Sequence, residues 1–134
     1  MPPFPPSDPE LQLVLEQLRP LEPIFHTRAF GLTPADRQRR IAPNYWEVGA
    51  SGRIYSRDLI LNLASTHFVD ADSTGWRTSD HAVQRLGPDT FLLTYSLTQE
   101  ARITRRATIW QSTPTGWIIL YHQGTVVSSS DAAH

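Results

Sequence analysis

Three residues, Glu47, Arg106 and His122, have the side-chain types best suited to proton transfer or anion binding. A carboxylate such as Glu47 becomes a general base when burial raises its pKa. The guanidinium of Arg106 stays charged and can bind a carboxylate through two parallel hydrogen bonds. The imidazole of His122 has an unperturbed pKa that suits proton transfer near neutral pH. These residue types indicate a site for a small anion or for acid–base chemistry.

Each of the three residues also has a structural interpretation. Buried acids are usually paired, so we favour an ion pair between Glu47 and Arg106, which lowers the pKa of Glu47 and weakens it as a base. In that case Arg106 pairs with Glu47 and does not bind a ligand. A single histidine on an apolar face, such as His122, is more often a core residue than a catalyst. The residues alone leave both interpretations open.

A second group of candidates surrounds these three. His26 is a further candidate base on the same pKa ground, and Glu22 lies four residues before it, so that the two share a face of the predicted helix. This pair orients an imidazole or closes the mouth of a pocket. Tyr95 or Arg106 is suited to stabilise an enolate-like oxyanion. The aromatic residues that line either the core or a ligand pocket are Trp46, Tyr55, Tyr95 and Trp110.

A predicted β-hairpin positions most of these side chains. Runs rich in β-branched and aromatic residues at 105–110 and 117–125 flank a Pro-Thr-Gly turn at 114–116. Since side chains alternate across a strand, Arg106, Thr108 and Trp110 share one face. By the same alternation, His122 shares a face with Ile118 and Leu120. The hairpin is therefore expected to carry an arginine, a tryptophan and a histidine to a half-buried surface.

The remaining elements form an α+β domain. A helix begins at Asp8, is kinked by Pro20 and Pro23 and ends at Gly31; a second runs from Thr33 to about residue 41, and a third follows Ser56. A short strand spans 45–49, and strands at 78–86, 90–99, 103–111 and 117–125 form an antiparallel meander. Helices before a meander predict a bent sheet closed into a cone. We expect a disordered proline-rich leader at 1–7, one domain at 8–127 and a flexible tail at 128–134.

Composition excludes several classes of function. The 134 residues contain no cysteine, and the formal net charge is −1. All twelve basic residues are arginine, which removes lysine Schiff-base chemistry and the lysine of a phosphate-binding loop. The histidines show no metal-binding spacing, and no glycine-rich phosphate loop is present. We therefore expect no metal, no cofactor, no nucleic-acid partner, no membrane span and no signal peptide, and we expect a cytoplasmic protein.

Four segments resemble the nuclear transport factor 2-like superfamily, and more closely the bacterial proteins of domain of unknown function family 4440. They are Leu21–His26, Tyr45–Arg53, Arg105–Trp110 and His122–Thr125, in the order found in that family and within residues 11–127. The resemblance implies a cone-shaped fold, with N-terminal helices packed on a strongly bent antiparallel sheet, and often a homodimer formed through the sheet. Proteins of this fold include steroid isomerases, scytalone dehydratase, polyketide cyclases and non-catalytic binding or assembly domains.

Three functions follow as hypotheses. The first is a cone-shaped module that binds a small, partly apolar or anionic molecule. The second is a cofactor-free isomerase, dehydratase or cyclase that uses Glu47, His122 or His26 as its base. The third is a structural dimer whose cone is filled. An interior cavity that touches several of the polar residues favours the first two hypotheses.

Overall fold

Residues 8–66 and 70–128 are described by the computed structural model, except for the side chains of residues 66 and 72. The predicted leader at 1–7, and the predicted tail apart from Ser128, lie outside these residues. In the described part of the chain, no helix is both long enough and apolar enough to span a membrane.

The first helical region ends earlier than the sequence predicts. Asp8 caps a 3-10 turn at Pro9–Leu11, which continues into helix α1, Gln12–Leu18, and a second 3-10 turn, Arg19–Leu21. Glu22 is then extended, with φ −114 and ψ 147. Because Pro23 disfavours a helical conformation in the residue before it, the helix cannot continue to Gly31. The predicted helix over residues 22–30 was therefore wrong.

The other predicted helices are confirmed. Helix α2, Pro34–Arg40, begins at a capping box in which Thr33 and Asp36 exchange side-chain and backbone hydrogen bonds. Helix α3, Arg57–Thr66, begins after Ser56, whose hydroxyl accepts a hydrogen bond from the Leu59 amide at 3.2 Å. A short helix, α4, follows at Ala71–Thr74. Thr33 and Ser56 therefore cap the N-termini of α2 and α3, as the sequence predicts.

Six strands form one curved sheet. The strands are β1 (Ile41–Val48), β2 (Ile54–Ser56), β3 (Arg77–Arg85), β4 (Thr90–Gln99), β5 (Arg102–Thr113) and β6 (Gly116–Val126), in the order β2-β1-β6-β5-β4-β3. The predicted antiparallel meander of β3 to β6 is confirmed. The sheet as a whole is mixed, because β1 lies parallel to β6. This pairing brings the first strand of the chain beside the last.

The core lies between the inner face of the sheet and the N-terminal helical segments. Leu15 and Leu18 of α1 pack into one cluster with Leu93 of β4 and Ile119 of β6. Leu18, Leu93 and Ile119 are fully buried. The helices thus cover the apolar face of the meander, as the α+β prediction requires.

A β-bulge in β6 changes which side chains face inward. Ile109 pairs with Tyr121, whereas Trp110 pairs with Ile119, so Leu120 is an extra residue in the strand. His122 consequently shares the inner face with Ile119. The prediction that it shares a face with Ile118 and Leu120 was wrong, because the bulge reverses the alternation at Leu120.

A second bulge lies in β3. Ser79 pairs with Ser96 and Ala82 with Thr94, so that Asp80 and His81 both lie opposite Tyr95. Asp80 adopts a positive φ of 58. The His81 ring stacks on the Tyr95 ring with centroids 5.7 Å apart and an interplanar angle of 14°. The bulge thereby turns a histidine toward the inner face of the sheet.

Candidate functional site

One row of residues crosses the inner face of three neighbouring strands. Glu47 on β1 lies opposite His122 on β6, and His122 lies opposite Thr108 on β5. Glu47 retains 7% of its accessible surface, His122 1% and Thr108 none. The parallel pairing of β1 with β6 is what brings the carboxyl and the imidazole together.

Arg106 lies on the same face of β5, two residues before Thr108, and its side chain extends toward His122. Its Nε donates to Thr104 Oγ1 at 2.9 Å, and its Nη1 donates to His122 Nε2 at 3.3 Å. The guanidinium lies over Gly124, where a Cβ would be 2.9 Å from Nη1 and 3.0 Å from Cζ. Glycine at 124 therefore leaves the space that the guanidinium occupies.

Arg106 has no carboxylate partner in the described part of the chain. The ion pairs within 4.0 Å among residues 8–66 and 70–128 are Arg28–Asp70 and Arg39–Asp36. Arg106 is half-buried and is held by a hydroxyl and an imidazole, both of them neutral acceptors. The predicted ion pair between Glu47 and Arg106 is not formed as a direct contact.

Glu47 is held by a tyrosine instead. The Tyr45 hydroxyl donates to Glu47 Oε1 at 2.6 Å, and both side chains are buried. Burial raises the pKa of the Glu47 carboxyl above its usual value, although the Tyr45 hydrogen bond and the positive charge of Arg106 oppose the rise. A carboxyl with a raised pKa retains its basicity, which suits the role of general base.

Both ring nitrogens of His122 are engaged. Nδ1 lies 2.7 Å from Thr108 Oγ1, and Nε2 faces Arg106. Burial, together with the smaller effect of the neighbouring positive charge of Arg106, lowers the pKa of His122 to about 3. A neutral imidazole with both nitrogens occupied is less suited than Glu47 to accept a proton from a ligand.

Glu22 is a second buried carboxyl, with 4% of its surface exposed. Its Oε1 accepts from the Tyr95 hydroxyl at 2.7 Å and its Oε2 from Trp110 Nε1 at 3.0 Å. Burial raises the pKa of Glu22 to about 7, while hydrogen bonds from Tyr95, Thr108, Trp110 and a backbone amide act against the rise. These donors show that Glu22 fastens the segment after α1 to strands β4 and β5.

One of the predicted pocket residues, Trp46, lies away from this cluster. Trp46 is 46% exposed and packs edge-on against Tyr121, with ring centroids 4.9 Å apart. It points to the outer face because it alternates with the inward-facing Tyr45 and Glu47. Its assignment to the wall of the interior pocket was therefore wrong.

His26 and Tyr55 occupy the margins of the site. His26 packs edge-on against Trp76 at 5.2 Å, and the helix that was to align it with Glu22 is absent. Tyr55 on β2 lies opposite Glu47, and its ring lies beneath the Arg53 guanidinium at 5.0 Å. Six of the predicted site residues lie together at the inner face of the sheet: Glu22, Glu47, Tyr95, Arg106, Trp110 and His122.

Three residues that complete the cluster were not predicted from the sequence to belong to the site. Tyr45 holds Glu47, Thr108 contacts His122, and Gly124 accommodates Arg106. Tyr45 and Thr108 each lie two positions from a predicted site residue in the same strand, and hence on the same face. That spacing is a signal that could have identified them.

Three cavities are lined by described residues. A groove of about 440 Å³ on the outer face of the sheet is lined by residues that include Leu92, Ile109 and Tyr121, and its lining also includes Arg105 and Arg106. A second cavity of about 460 Å³ adjoins Arg40 and Trp117, and a third adjoins Asp8 and Val83. None of the three touches Glu22, Glu47 or His122. Within residues 8–66 and 70–128, no cluster of three or more acidic or histidine side chains is placed to hold a metal ion.

Solved structures with the same fold come from several bacteria. An uncharacterised protein with a cystatin-like fold from Caulobacter vibrioides matches with a TM-score of 0.64 and 13% identity, over 90% of this chain and 91% of the other. A cystatin-like fold protein from Burkholderia xenovorans matches with a TM-score of 0.64 and 12% identity, over 87% and 94% of the two chains.

An NTF2-like protein of unknown function in nutrient uptake from Rhodospirillum rubrum matches with a TM-score of 0.57 and 20% identity, over 75% of this chain and 92% of the other. No protein-family model and no curated protein matches the sequence significantly. The fold of this chain is thus the NTF2-like, cystatin-like α+β cone, as predicted. Identities at this level show the fold alone.

Proposed function

We propose that the protein binds a small, partly apolar anion inside the cone, with Arg106 as the anion-binding residue. The observation that carries the proposal is the half-buried Arg106 guanidinium, which has no carboxylate within 4.0 Å among residues 8–66 and 70–128. Removing a charge from water is costly unless an opposite charge compensates for it. An anionic ligand supplies that charge.

The hydrogen bonds of Arg106 support this role. A guanidinium has five N–H donors, and two side-chain acceptors are bound, Thr104 Oγ1 and His122 Nε2. Donors are left for a carboxylate or a similar oxyanion, which a guanidinium binds in a bidentate geometry. Tyr95 on β4 lies opposite Arg106, so that an aromatic ring adjoins the proposed site on the inner face.

A titration with sodium benzoate tests the proposal, with neutral benzamide as the matched ligand. Amide and side-chain NMR signals of β5 and β6 are expected to shift with benzoate and not with benzamide. The Arg106→Gln variant is expected to lose the response. Arg105→Gln is the matched control, because Arg105 is exposed on the opposite face of the same strand. Equal responses to the two ligands, or equal losses in the two variants, would contradict an anion site at Arg106.

The second candidate function is cofactor-free proton transfer with Glu47 as the base. The specific observation is the raised pKa of a buried Glu47 near the charge of Arg106, since the two together suit proton abstraction and oxyanion stabilisation. Exchange of the α-hydrogens of cyclohexanone in D₂O, followed by NMR, is expected to be faster with wild type than with Glu47→Gln. Equal exchange rates with the two folded proteins would exclude Glu47 as a base for this probe.

We also propose that the protein is a member of domain of unknown function family 4440. The support for this assignment is the set of four matching segments in the sequence. Three of them, Tyr45–Arg53, Arg105–Trp110 and His122–Thr125, supply the side chains around Arg106. A shared anion-binding role is the function we expect for proteins with the same three segments.

A further inference from the structure

A chain of hydrogen bonds runs inward from Arg106. Its first link joins Arg106 Nη1 to His122 Nε2 at 3.3 Å, and its second joins His122 Nδ1 to Thr108 Oγ1 at 2.7 Å. The Thr108 side chain also lies near the Glu22 carboxyl and opposes the rise of its pKa. Thr108 and His122 are almost completely buried, so water does not compete for these links.

The chemistry of Arg106 fixes which nitrogen of His122 carries the proton. A guanidinium donates and never accepts, so Nε2 of His122 must be the acceptor and carries no hydrogen. The neutral imidazole then carries its proton on Nδ1 and donates it to Thr108. The threonine hydroxyl oxygen accepts that bond.

A protonated His122 does not fit this arrangement. An imidazolium presents an N–H at Nε2, which would face an N–H of Arg106 with both groups positively charged. The low pKa of His122, which burial and Arg106 cause, agrees with a ring that stays neutral. A neutral acceptor holds the guanidinium without cancelling its charge, whereas a carboxylate in the same place would pair with it.

From this geometry we infer that His122 and Thr108 are positioning residues that hold the Arg106 guanidinium over Gly124 for anion binding, with His122 locked in the Nδ1–H tautomer. The inference rests on the proposed function for its purpose, but the tautomer does not depend on any ligand.

The ligand-free protein tests the hydrogen-bond chain first. Two-bond ¹H–¹⁵N NMR spectra of the imidazole are expected to show His122 with Nδ1 protonated and Nε2 bare at pH 7. Thr108→Val removes the acceptor and keeps the shape, so the buried Nδ1–H loses its partner. Part of the population is then expected to shift to the Nε2–H tautomer with loss of the Arg106 contact, whereas Thr108→Ser is expected to preserve the wild-type spectrum. An Nε2–H tautomer in wild type would overturn the inference.

Benzoate affinity then tests the purpose of the chain. Thr108→Val is expected to bind benzoate about tenfold more weakly than wild type, because the variant loses the charged hydrogen bond between Arg106 and His122. Thr108→Ser keeps that bond and is expected to bind benzoate within about twofold of wild type. Gly124→Ala is a second variant, since its Cβ displaces the guanidinium without changing any polar group. Wild-type affinity in both Thr108→Val and Gly124→Ala would refute the positioning role.

The two experiments separate this inference from the proposed function. If wild type binds no benzoate while His122 shows the Nδ1–H tautomer and Thr108→Val disturbs it, the proposed function fails and the hydrogen-bond chain stands. If benzoate binds at Arg106 while the tautomer is Nε2–H, the chain fails and the proposed function stands. Backbone amide spectra establish whether each variant is folded. If Thr108→Val does not fold, the benzoate affinity of Gly124→Ala tests the positioning role alone.

Discussion

Two buried carboxyls face the same interior, and each accepts a hydrogen bond from a tyrosine hydroxyl. Tyr45 holds Glu47, and Tyr95 holds Glu22. Burial raises the pKa of both acids, and it also raises the pKa of both tyrosine hydroxyls well above the usual value. At neutral pH the tyrosines are therefore donors, and the charge of the interior depends on the ionisation of the two glutamates.

Substituting Glu22 with glutamine should make the stability of the protein less dependent on pH. Because the folded pKa of Glu22 is raised from 4.5 to about 7, its contribution to stability is fully present below pH 4.5 and is lost as the pH rises through about 7. The loss amounts to roughly 3 kcal/mol at most. Urea denaturation at pH 4.5 and pH 8 should show that Glu22→Gln costs more free energy of unfolding at the lower pH.

Glu47→Gln provides the comparison, because the pKa of Glu47 is raised in the same direction and by the same first cause. Its pH dependence should have the same sign. A Glu22→Gln variant whose cost is equal at pH 4.5 and pH 8 would show that folding does not raise the pKa of the Glu22 carboxyl.

Local sequence signals predicted the elements that the structure contains, but not all of their pairings. Strands β5 and β6 were expected at 103–111 and 117–125 and occur at Arg102–Thr113 and Gly116–Val126, because alternation and turn residues are local properties. The parallel pairing of β1 with β6 joins strands far apart in the sequence, and no local pattern encodes it. The extra residue Leu120 likewise has no signature that distinguishes it from its apolar neighbours.

The same distinction applies to the site. Strand alternation placed Arg106, Thr108 and Trp110 on one face, as observed. The replacement of the expected Glu47–Arg106 ion pair by bonds to Tyr45 and His122 depends on distances between side chains of different strands. Residue types gave the candidates, and only the packing of the sheet decides which of them contact each other.

The bulge in β3 allows a further prediction about this element. Asp80 has a φ of 58, a conformation that glycine adopts freely and β-branched residues rarely adopt. Asp80→Gly should change the free energy of unfolding by less than about 0.5 kcal/mol. Asp80→Val should cost about 1–2 kcal/mol in urea denaturation, because the left-handed conformation is strained for it.

The stacking of His81 on Tyr95 reports whether the bulge keeps its geometry. Ring-current shifts of the His81 protons should be preserved in Asp80→Gly and altered in Asp80→Val. If Asp80→Val were as stable as wild type with the stacking intact, strain at residue 80 would not contribute to the bulge.

For the whole molecule, we propose a homodimer formed through the outer face of the sheet. The helices cover only the inner face, and the outer face carries the apolar groove of about 440 Å³ together with the 46% exposed Trp46. Light scattering at micromolar concentration is expected to give the mass of a dimer. Leu92→Asp, in the groove, should convert it to a monomer.

Leu13→Asp is the matched control, because Leu13 is 65% exposed but lies on α1, away from the sheet. It should leave the dimer intact. A wild-type monomer at this concentration, or dissociation caused equally by both substitutions, would contradict a dimer formed through the sheet.

The hydrogen bond between Trp110 and Glu22 makes the fluorescence of Trp110 sensitive to the ionisation of Glu22. Trp110 is fully buried and donates its indole N–H to Glu22 at 3.0 Å. Excitation moves electron density from the pyrrole ring of indole toward its benzene ring, so a negative charge beside Nε1 lowers the energy of the excited state. The fluorescence of Trp110 should therefore shift to longer wavelength as Glu22 ionises near pH 7, and this shift should be absent from Glu22→Gln.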